Sequence, residues 1–380
     1  MEPVWIDDED ALLALVDKLV DEPRYGLDTE FHGERSYWPR LALVQISWAG
    51  GIALVDPIAT DVAPLGKVLA GPGLMIAHAA EQDLAILDRL CGRGPTQLFD
   101  TQVAAGFCGA GSPSLAALVE KFLGVRLAKG DRLTDWTRRP LHVEQRDYAA
   151  ADVEHLLPLH DSLVGKLTAS GRVEWALDEC DQRRQRVRTR PEPQLAWWRM
   201  KGARQLRGKA RGVAQEVTAW RERIAETLDV PPRYVLSDLA LAGIVSRPPR
   251  NREELSGIRG VDGRATKEGT VEELLSAIER GVNLPADQLQ LPEPERVDRS
   301  LAPAVTIIGA WLAQRASELD LDPAVLATRA DLTQMLQGQP SRLASGWRAE
   351  LVGEKLQHLL HGDAHIVLAD GGRRIVLRDQ

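Results

Sequence analysis

The sequence is short of cysteine. Its three, Cys91, Cys108 and Cys180, are an odd number without a CxxC spacing. That excludes a disulfide-stapled miniprotein and reads as reduced, unpaired thiols in a cytoplasmic protein. Long apolar runs are also lacking: none approaches the roughly 18–20 residues a membrane helix needs, so no membrane partner is expected. The first ten residues are acidic, unlike a secretory signal or transit peptide, and none is expected. A GxxxxGK[ST] phosphate loop is absent, which argues against a helicase and against a nucleotide cofactor. What remains is ordinary: 44% hydrophobic and 27% charged residues, the balance of a globular chain. At 380 residues two or three domains are expected.

Basic residues number 47 and acidic ones 55, a net charge of −8, which argues against indiscriminate nucleic-acid binding. The average hides an asymmetry. From Arg183 to Arg211 the chain carries Arg183, Arg184, Arg186, Arg188, Arg190, Arg199, Lys201, Arg204, Arg207, Lys209 and Arg211 against the single acid Glu192. Such a block is either a phosphate-contacting surface or a solvated linker face.

Residues 1–165 read as α/β. Val4–Ile6 is a short strand, and Asp8 or Asp10 can cap a helix running to about Val20. Tyr25–Phe31, Leu41–Trp48 and Gly51–Val55 read as strands joined by short, hence antiparallel, connections, and Leu74–Ala77 as a fourth. Helical patterns follow at Ala80–Leu90, Asp100–Cys108, Ser114–Phe122 and Val143–Thr168. The expected division is 1–170, a basic arm at 171–212, a helical domain at 213–285 and a second at 296–380. The two helical regions repeat. Shifted by 91 residues, Ala219-Trp220, Ala225, Leu228-Asp229 and Pro232 fall on Ala310-Trp311, Ala316, Leu319-Asp320 and Pro323, which marks two copies of one module. Gly371-Gly372 between two β-branched runs predicts a two-residue hairpin at the end.

Three elements carry candidate chemistry. Asp28-Thr29-Glu30 lies inside an apolar strand, where residues i and i+2 share a face, so two acids point together from a sheet. Burying them unpaired is costly, and a hard divalent cation relieves that cost; a strand end open to water is the bland alternative. Asp83 falls in the first turn of the helix after the Leu74–Ala77 strand, where the helix dipole favours an acid whatever its role. Tyr148 and Asp152 stand i and i+4 on one helix face, with small alanines beside them; a core-edge tyrosine and a solvated acid would look the same.

Together the three elements resemble the tyrosine-containing subclass of the DEDD exonuclease superfamily and, within it, the ribonuclease D family. Asp28-Thr29-Glu30-Phe31 with Tyr37-Trp38-Pro39 and Leu43-Val44-Gln45-Ile46 is similar to its first motif, and Ala77-His78-Ala79 with Asp83-Leu84 to its second. Phe99-Asp100-Thr101-Gln102, Arg132, Asp135-Trp136, Arg139-Pro140-Leu141 and Tyr148 to Val153 continue the likeness, which spans about residues 4–165. Trp220-Arg221-Glu222, Pro231-Pro232-Arg233 and Gly257–Gly260 resemble an HRDC domain, with Ala310-Trp311 and Gly346-Trp347-Arg348 marking a divergent copy.

The resemblance implies a ribonuclease H-like exonuclease domain, a mixed sheet with flanking helices, followed by two all-α HRDC-like domains. It implies a 3′-5′ exoribonuclease that releases 5′-mononucleotides from single-stranded 3′ ends, acts on tRNA precursors and other small structured RNAs, and is a monomer. Asp28, Glu30, Asp83 and Asp152 would hold two divalent cations, Mg²⁺ or Mn²⁺, with Asp28 bridging them. A phenol is a poor base at neutral pH, so Tyr148 would orient the attacking water. His78, Lys129, Arg132, Arg199, Lys201 and Arg204 are candidate substrate contacts, His78 equally a strand end. Trp197-Trp198 could stack on bases or join the arm to the module. Two rivals stay open: a 3′-5′ DNA exonuclease of the same fold, since no residue read here tests the 2′-hydroxyl, and a non-catalytic nucleic-acid-binding protein, against which the complete acid set speaks.

Overall fold

Leu41 to Trp48 is an unbroken buried run, a pattern that only a central strand covered on both faces sustains. The computed structural model, which describes residues 2–127, 134–186, 192–261, 269–291 and 298–379, places that run as β3 (Arg40–Trp48) inside a six-stranded sheet. The other strands are β1 (Val4–Ile6), β2 (Arg24–His32), β4 (Gly51–Val55), β5 (Leu74–Ala77) and β6 (Gln97–Asp100), in the order β1-β4-β3-β2-β5-β6. β3 and β4 are antiparallel, β1 runs parallel to β4, and β2, β5 and β6 are parallel. The sheet is therefore mixed.

Helix α1 (Glu9–Leu19) starts where the Asp8 carboxylate accepts the Ala11 N–H at 2.8 Å, a capping contact the sequence advertises. After α2 (Gly66–Ala70) come α3 (Glu81–Cys91), α4 (Thr101–Gly106), α5 (Leu115–Leu123), α6 (Val143–Glu154), α7 (Leu156–Ala169) and α8 (Val173–Gln185). Three expectations are corrected here. β6 occupies residues assigned to no strand; it has only four, and its last, Asp100, doubles as the cap of α4. The single helix expected over Val143–Thr168 breaks at His155, because Pro158 can neither donate to nor pack over the carbonyl of Glu154. The first stretch of the expected arm is not linker but helix α8, with Ala176 and Cys180 buried.

A row of side chains crosses one sheet face: Ile52, Ser47, Gly26, Ile76 and Phe99. Helices α6 and α7 lie on this face, since the Ser47 hydroxyl donates to the Val153 carbonyl at 2.7 Å and a Cβ on Gly26 would overlap Ser47 and press on Leu156. Gly26 is what lets these helices lie so close to the sheet.

The chain separates into two units, 1–30 with 42–187 and 296–380, and 31–41 with 188–295. In the first, residues after 298 share the hydrophobic core of the sheet domain. Ile308, Trp311, Leu326, Trp347 and Leu356 join Phe99, Phe107, Leu118 and Leu159. Trp347 stacks on Trp175 of α8 at 5.1 Å. Arg348, 3% exposed, donates to Glu179 of α8 at 2.5 Å, and Arg342 reaches the same carboxylate at 3.3 Å. In the second unit, α9 (Lys209–Thr227), α10 (Pro232–Val235), α11 (Asp238–Ser246), α12 (Arg252–Ser256) and α13 (Thr270–Val282) enclose Val213, Val217, Trp220, Leu241, Leu274 and Ile278. Tyr37 and Trp38 belong here: both backbone N–H groups donate to Asp229, at 3.1 and 3.2 Å.

The repeat is visible in the elements. α14 (Ala302–Glu318), α15 (Pro323–Leu326) and α16 (Arg329–Leu336) echo α9 to α11, and α10 and α15 coincide under the 91-residue shift. Asp229 and Asp320, equivalent residues, both turn the chain at positive φ, 45° and 51°. Beyond α16, α17 (Gly346–Arg348) and α18 (Glu354–His361) lead to the hairpin of β7 (Ala364–Ala369) and β8 (Arg374–Asp379). Its loop has four residues, Asp370 to Arg373, not two, since Ala369 pairs with Arg374. Among the described residues no helix is long and apolar enough to cross a membrane, and the three cysteines are free.

Candidate active site

The sheet and α6 bring three acids together. Asp28 and Glu30 project from β2 on the α6 face, and Asp152 descends from α6 itself. One carboxylate oxygen from each lies within 4.8 Å of the other two. Like charges this close, with little water between them, oppose one another's ionisation. Asp28 is held well above the usual carboxylate range, first by burial and then by the charges of Asp83, Asp152 and Glu30. Burial, with Asp152 and Asp83, pushes Glu30 up to about 8.

Asp83 is the fourth acid, and its charge is the largest of the three that act on Asp28. It is buried at the start of α3, and its carboxylate accepts the Thr29 hydroxyl between Asp28 and Glu30 in sequence. Burial raises it to about 6, while the Thr29 hydrogen bond pulls the other way. Asp100 secures the turn that delivers Asp83. Fully buried, it accepts the N–H groups of Ala79 (3.1 Å) and Ala80 (3.0 Å), caps α4 through Gln102 (2.9 Å), and pairs with Arg183 at 2.9 Å. Ala79 adopts a φ of +56° there, a conformation a non-glycine residue holds only under such restraint. Sequence reasoning missed this role. Its one signal was an Asp directly before a helix.

Tyr148 lies one turn before Asp152 on α6, its ring tilted against Trp136 at 6.1 Å. Trp136 is fixed by Arg139, which donates to the Trp136 carbonyl at 2.8 Å, grips both oxygens of Asp56 at 2.6 Å and reaches the Ala42 carbonyl at 2.6 Å. Asp56 is thus an anchor for the segment that carries Trp136.

The weaker candidates divide. His78 is tied to the Thr101 hydroxyl at 3.0 Å, and burial lowers its pKa, as suits a strand end. Lys129 and Arg132 lie outside the described residues, as do Arg188 and Arg190 of the basic block. Arg199, Lys201 and Arg204 are exposed. Arg183 and Arg184 are occupied by Asp100 and Asp181. Trp197 is fully buried and donates to the Gln290 carbonyl at 3.1 Å, so it is core and not a stacking platform.

The triad offers only carboxylate oxygens, the donor type that hard divalent cations select, and a cation would relieve the repulsion just described. The residues present fit such an ion.

Residues 3–168 match the family model of a 3′-5′ exonuclease, and residues 210–278 that of the HRDC domain. The second helical copy lies outside the HRDC match. Along its whole length the chain is 35% identical to the ribonuclease D of Acidiphilium cryptum, covering 97% of that protein. It is 34% identical to the ribonuclease D of Escherichia coli, over 93% of this chain and 97% of that one. The crystal structure of Escherichia coli RNase D, described as an exoribonuclease involved in structured RNA processing, superimposes with a TM-score of 0.84 and 32% identity over 95% of this chain and 99% of that one. The DEDD exonucleases to which that family belongs use divalent metal ions, and the chain belongs to the ribonuclease D family of 3′-5′ exoribonucleases.

Proposed function

We propose that this exoribonuclease works at the Asp28–Glu30–Asp152 cluster, removing nucleotides singly from single-stranded 3′ ends and releasing 5′-mononucleotides. Three carboxylate oxygens within 4.8 Å on a sheet-and-helix frame carry the reading. Asp28, Glu30 and Asp152, with Asp83 beside them, would hold two divalent cations, Mg²⁺ or Mn²⁺. Bound there, the cations supply Lewis acidity: they acidify water and offset the charge that grows on the phosphate and the leaving 3′ oxygen. The Tyr148 phenol accepts or donates a hydrogen bond to the attacking water and orients it, its ring steadied by Trp136. Arg199, Lys201 and Arg204, on an exposed basic stretch, contact backbone phosphates.

The substrates we assign are tRNA precursors and other small structured RNAs with unpaired 3′ ends, met by a cytoplasmic monomer. The Escherichia coli relative's part in structured RNA processing supports this. A 5′-labelled single-stranded RNA incubated with Mg²⁺ or Mn²⁺ tests it, beside a DNA of the same sequence. A ladder shortening from the 3′ end, with 5′-monophosphates as the small product and RNA consumed faster than DNA, is expected. Internal cuts, 3′-phosphorylated products or equal use of DNA would refute it.

A further inference from the structure

Gln45 sits in the middle of β3, 0% exposed, and among the described residues neither its side-chain nitrogen nor its oxygen has a hydrogen-bond partner. An orphaned amide in a core is costly and rare, and a leucine would fill the same space without that cost. Its neighbours show what the amide faces. β2 and β3 adjoin in the sheet, and the short 33–39 connection between them permits only antiparallel pairing. Gly26 lies directly against Ser47 on the α6 face. Two residues further along each strand, on that same face, Asp28 therefore stands opposite Gln45, at the separation of a cross-strand pair. On its other side Gln45 pairs with Leu54 of β4, which offers no polar side chain. The carboxylate of the cluster is the polar group opposite it.

We infer that Gln45 is a positioning residue for Asp28. Its amide N–H is placed to donate to the Asp28 carboxylate and fixes that group's rotation when cations are bound. The inference rests on the proposed cation site. A carboxylate that would hold a cation has its remaining lone pairs turned into the protein, and a donor there would keep its oxygens in the orientation an ion requires.

The test is Mn²⁺ binding to the full-length protein by titration calorimetry, with wild type, Asp28→Asn, Gln45→Met and Gln45→Leu. Methionine keeps the length and shape of glutamine without its donor, and leucine guards against a packing artefact peculiar to methionine. Both Gln45 variants should bind Mn²⁺ about 10- to 100-fold more weakly than wild type. Without metal they should melt at or above the wild-type temperature, because an unpaired amide has been removed. Their turnover deficit should close as Mn²⁺ is raised, with KM for RNA unchanged. A residue that merely fills the core would move none of these together. Wild-type Mn²⁺ affinity in both variants would overturn the role of Gln45 while leaving the site intact. A wild type that binds no Mn²⁺, or an Asp28→Asn that binds it as wild type does, would remove the site and the inference with it.

Discussion

Replacing Glu30 by glutamine should make the metal-free protein more stable at pH 8, although it removes a residue placed at the centre of the site. Glu30 is raised from 4.5 to about 8 by burial and by the charges of Asp152 and Asp83. At about 1.4 kcal/mol per pH unit the ceiling on that penalty is about 4–5 kcal/mol. Glu30 keeps some contact with solvent, and it shares its repulsion with Asp28, so about 2–3 kcal/mol is the gain expected from Glu30→Gln. For a unit of this size that corresponds to a rise in Tm of about 5–8 °C. The sign depends on pH. Because the folded protein holds the Glu30 proton more tightly than the unfolded chain, wild type loses stability as pH climbs from about 4.5 to about 8. The advantage of glutamine should therefore vanish near pH 4.5 and be full above pH 8. Excess Mg²⁺ should reverse the order, stabilising wild type and leaving the variant almost unmoved. Thermal unfolding in EDTA at several pH values, then in Mg²⁺, measures all of this. A Glu30→Gln protein that melts at or below wild type at pH 8 without metal would show that the acids do not repel one another as described.

Tyr148→Phe keeps the ring against Trp136 and removes only the hydroxyl, so turnover should fall about 10²-fold with Tm and Mn²⁺ affinity unchanged; an unaltered rate at saturating RNA would make Tyr148 a packing residue. Glu179→Ala strands the buried Arg348 guanidinium that it pairs at 2.5 Å, and urea unfolding should register a loss of about 3–5 kcal/mol. A loss below about 1 kcal/mol would mean that the contact between α8 and the C-terminal helices contributes little. Arg199→Ala with Lys201→Ala should flatten the dependence of RNA affinity on salt by about 1.4 in log–log slope, two phosphate contacts' worth on single strands, and an unchanged slope would place both side chains in solvent.

The pair Asp28 and Glu30 was legible because a strand's two-residue period puts i and i+2 on one face whatever the rest of the chain does, and Tyr148 with Asp152 because a helix does the same at i and i+4. The strands of β2 to β5 announced themselves through apolar runs of the right length, and the helical repeat through six identities in one register. What was not legible depends on distant parts of the chain. Nothing in Arg183 shows that Asp100, far back in sequence, will neutralise it, so a run of arginines looked more available than it is. Nothing near Trp347 and Arg348 shows that they will pack on Trp175 and Glu179, which is why residues after 298 read as a separate domain rather than as part of the sheet domain's core. The Thr29 hydroxyl's bond to Asp83 is a contact between a strand and a helix that periodicity cannot see. Pro158 was in plain view, and the break it causes at His155 was available to simple steric reasoning.

Asp28 is the acid that the other three all push upward. Single-turnover hydrolysis of a 5′-labelled single-stranded RNA by wild type and Asp28→Asn, at saturating Mg²⁺ and with RNA affinity measured alongside, addresses its role most directly. Loss of one carboxylate from the proposed cation site would remove several kcal/mol of transition-state stabilisation, so the rate should drop by about 10³-fold or more while the folded protein still binds RNA. An Asp28→Asn protein that shortens the strand from its 3′ end at the wild-type rate would place the chemistry somewhere other than this cluster.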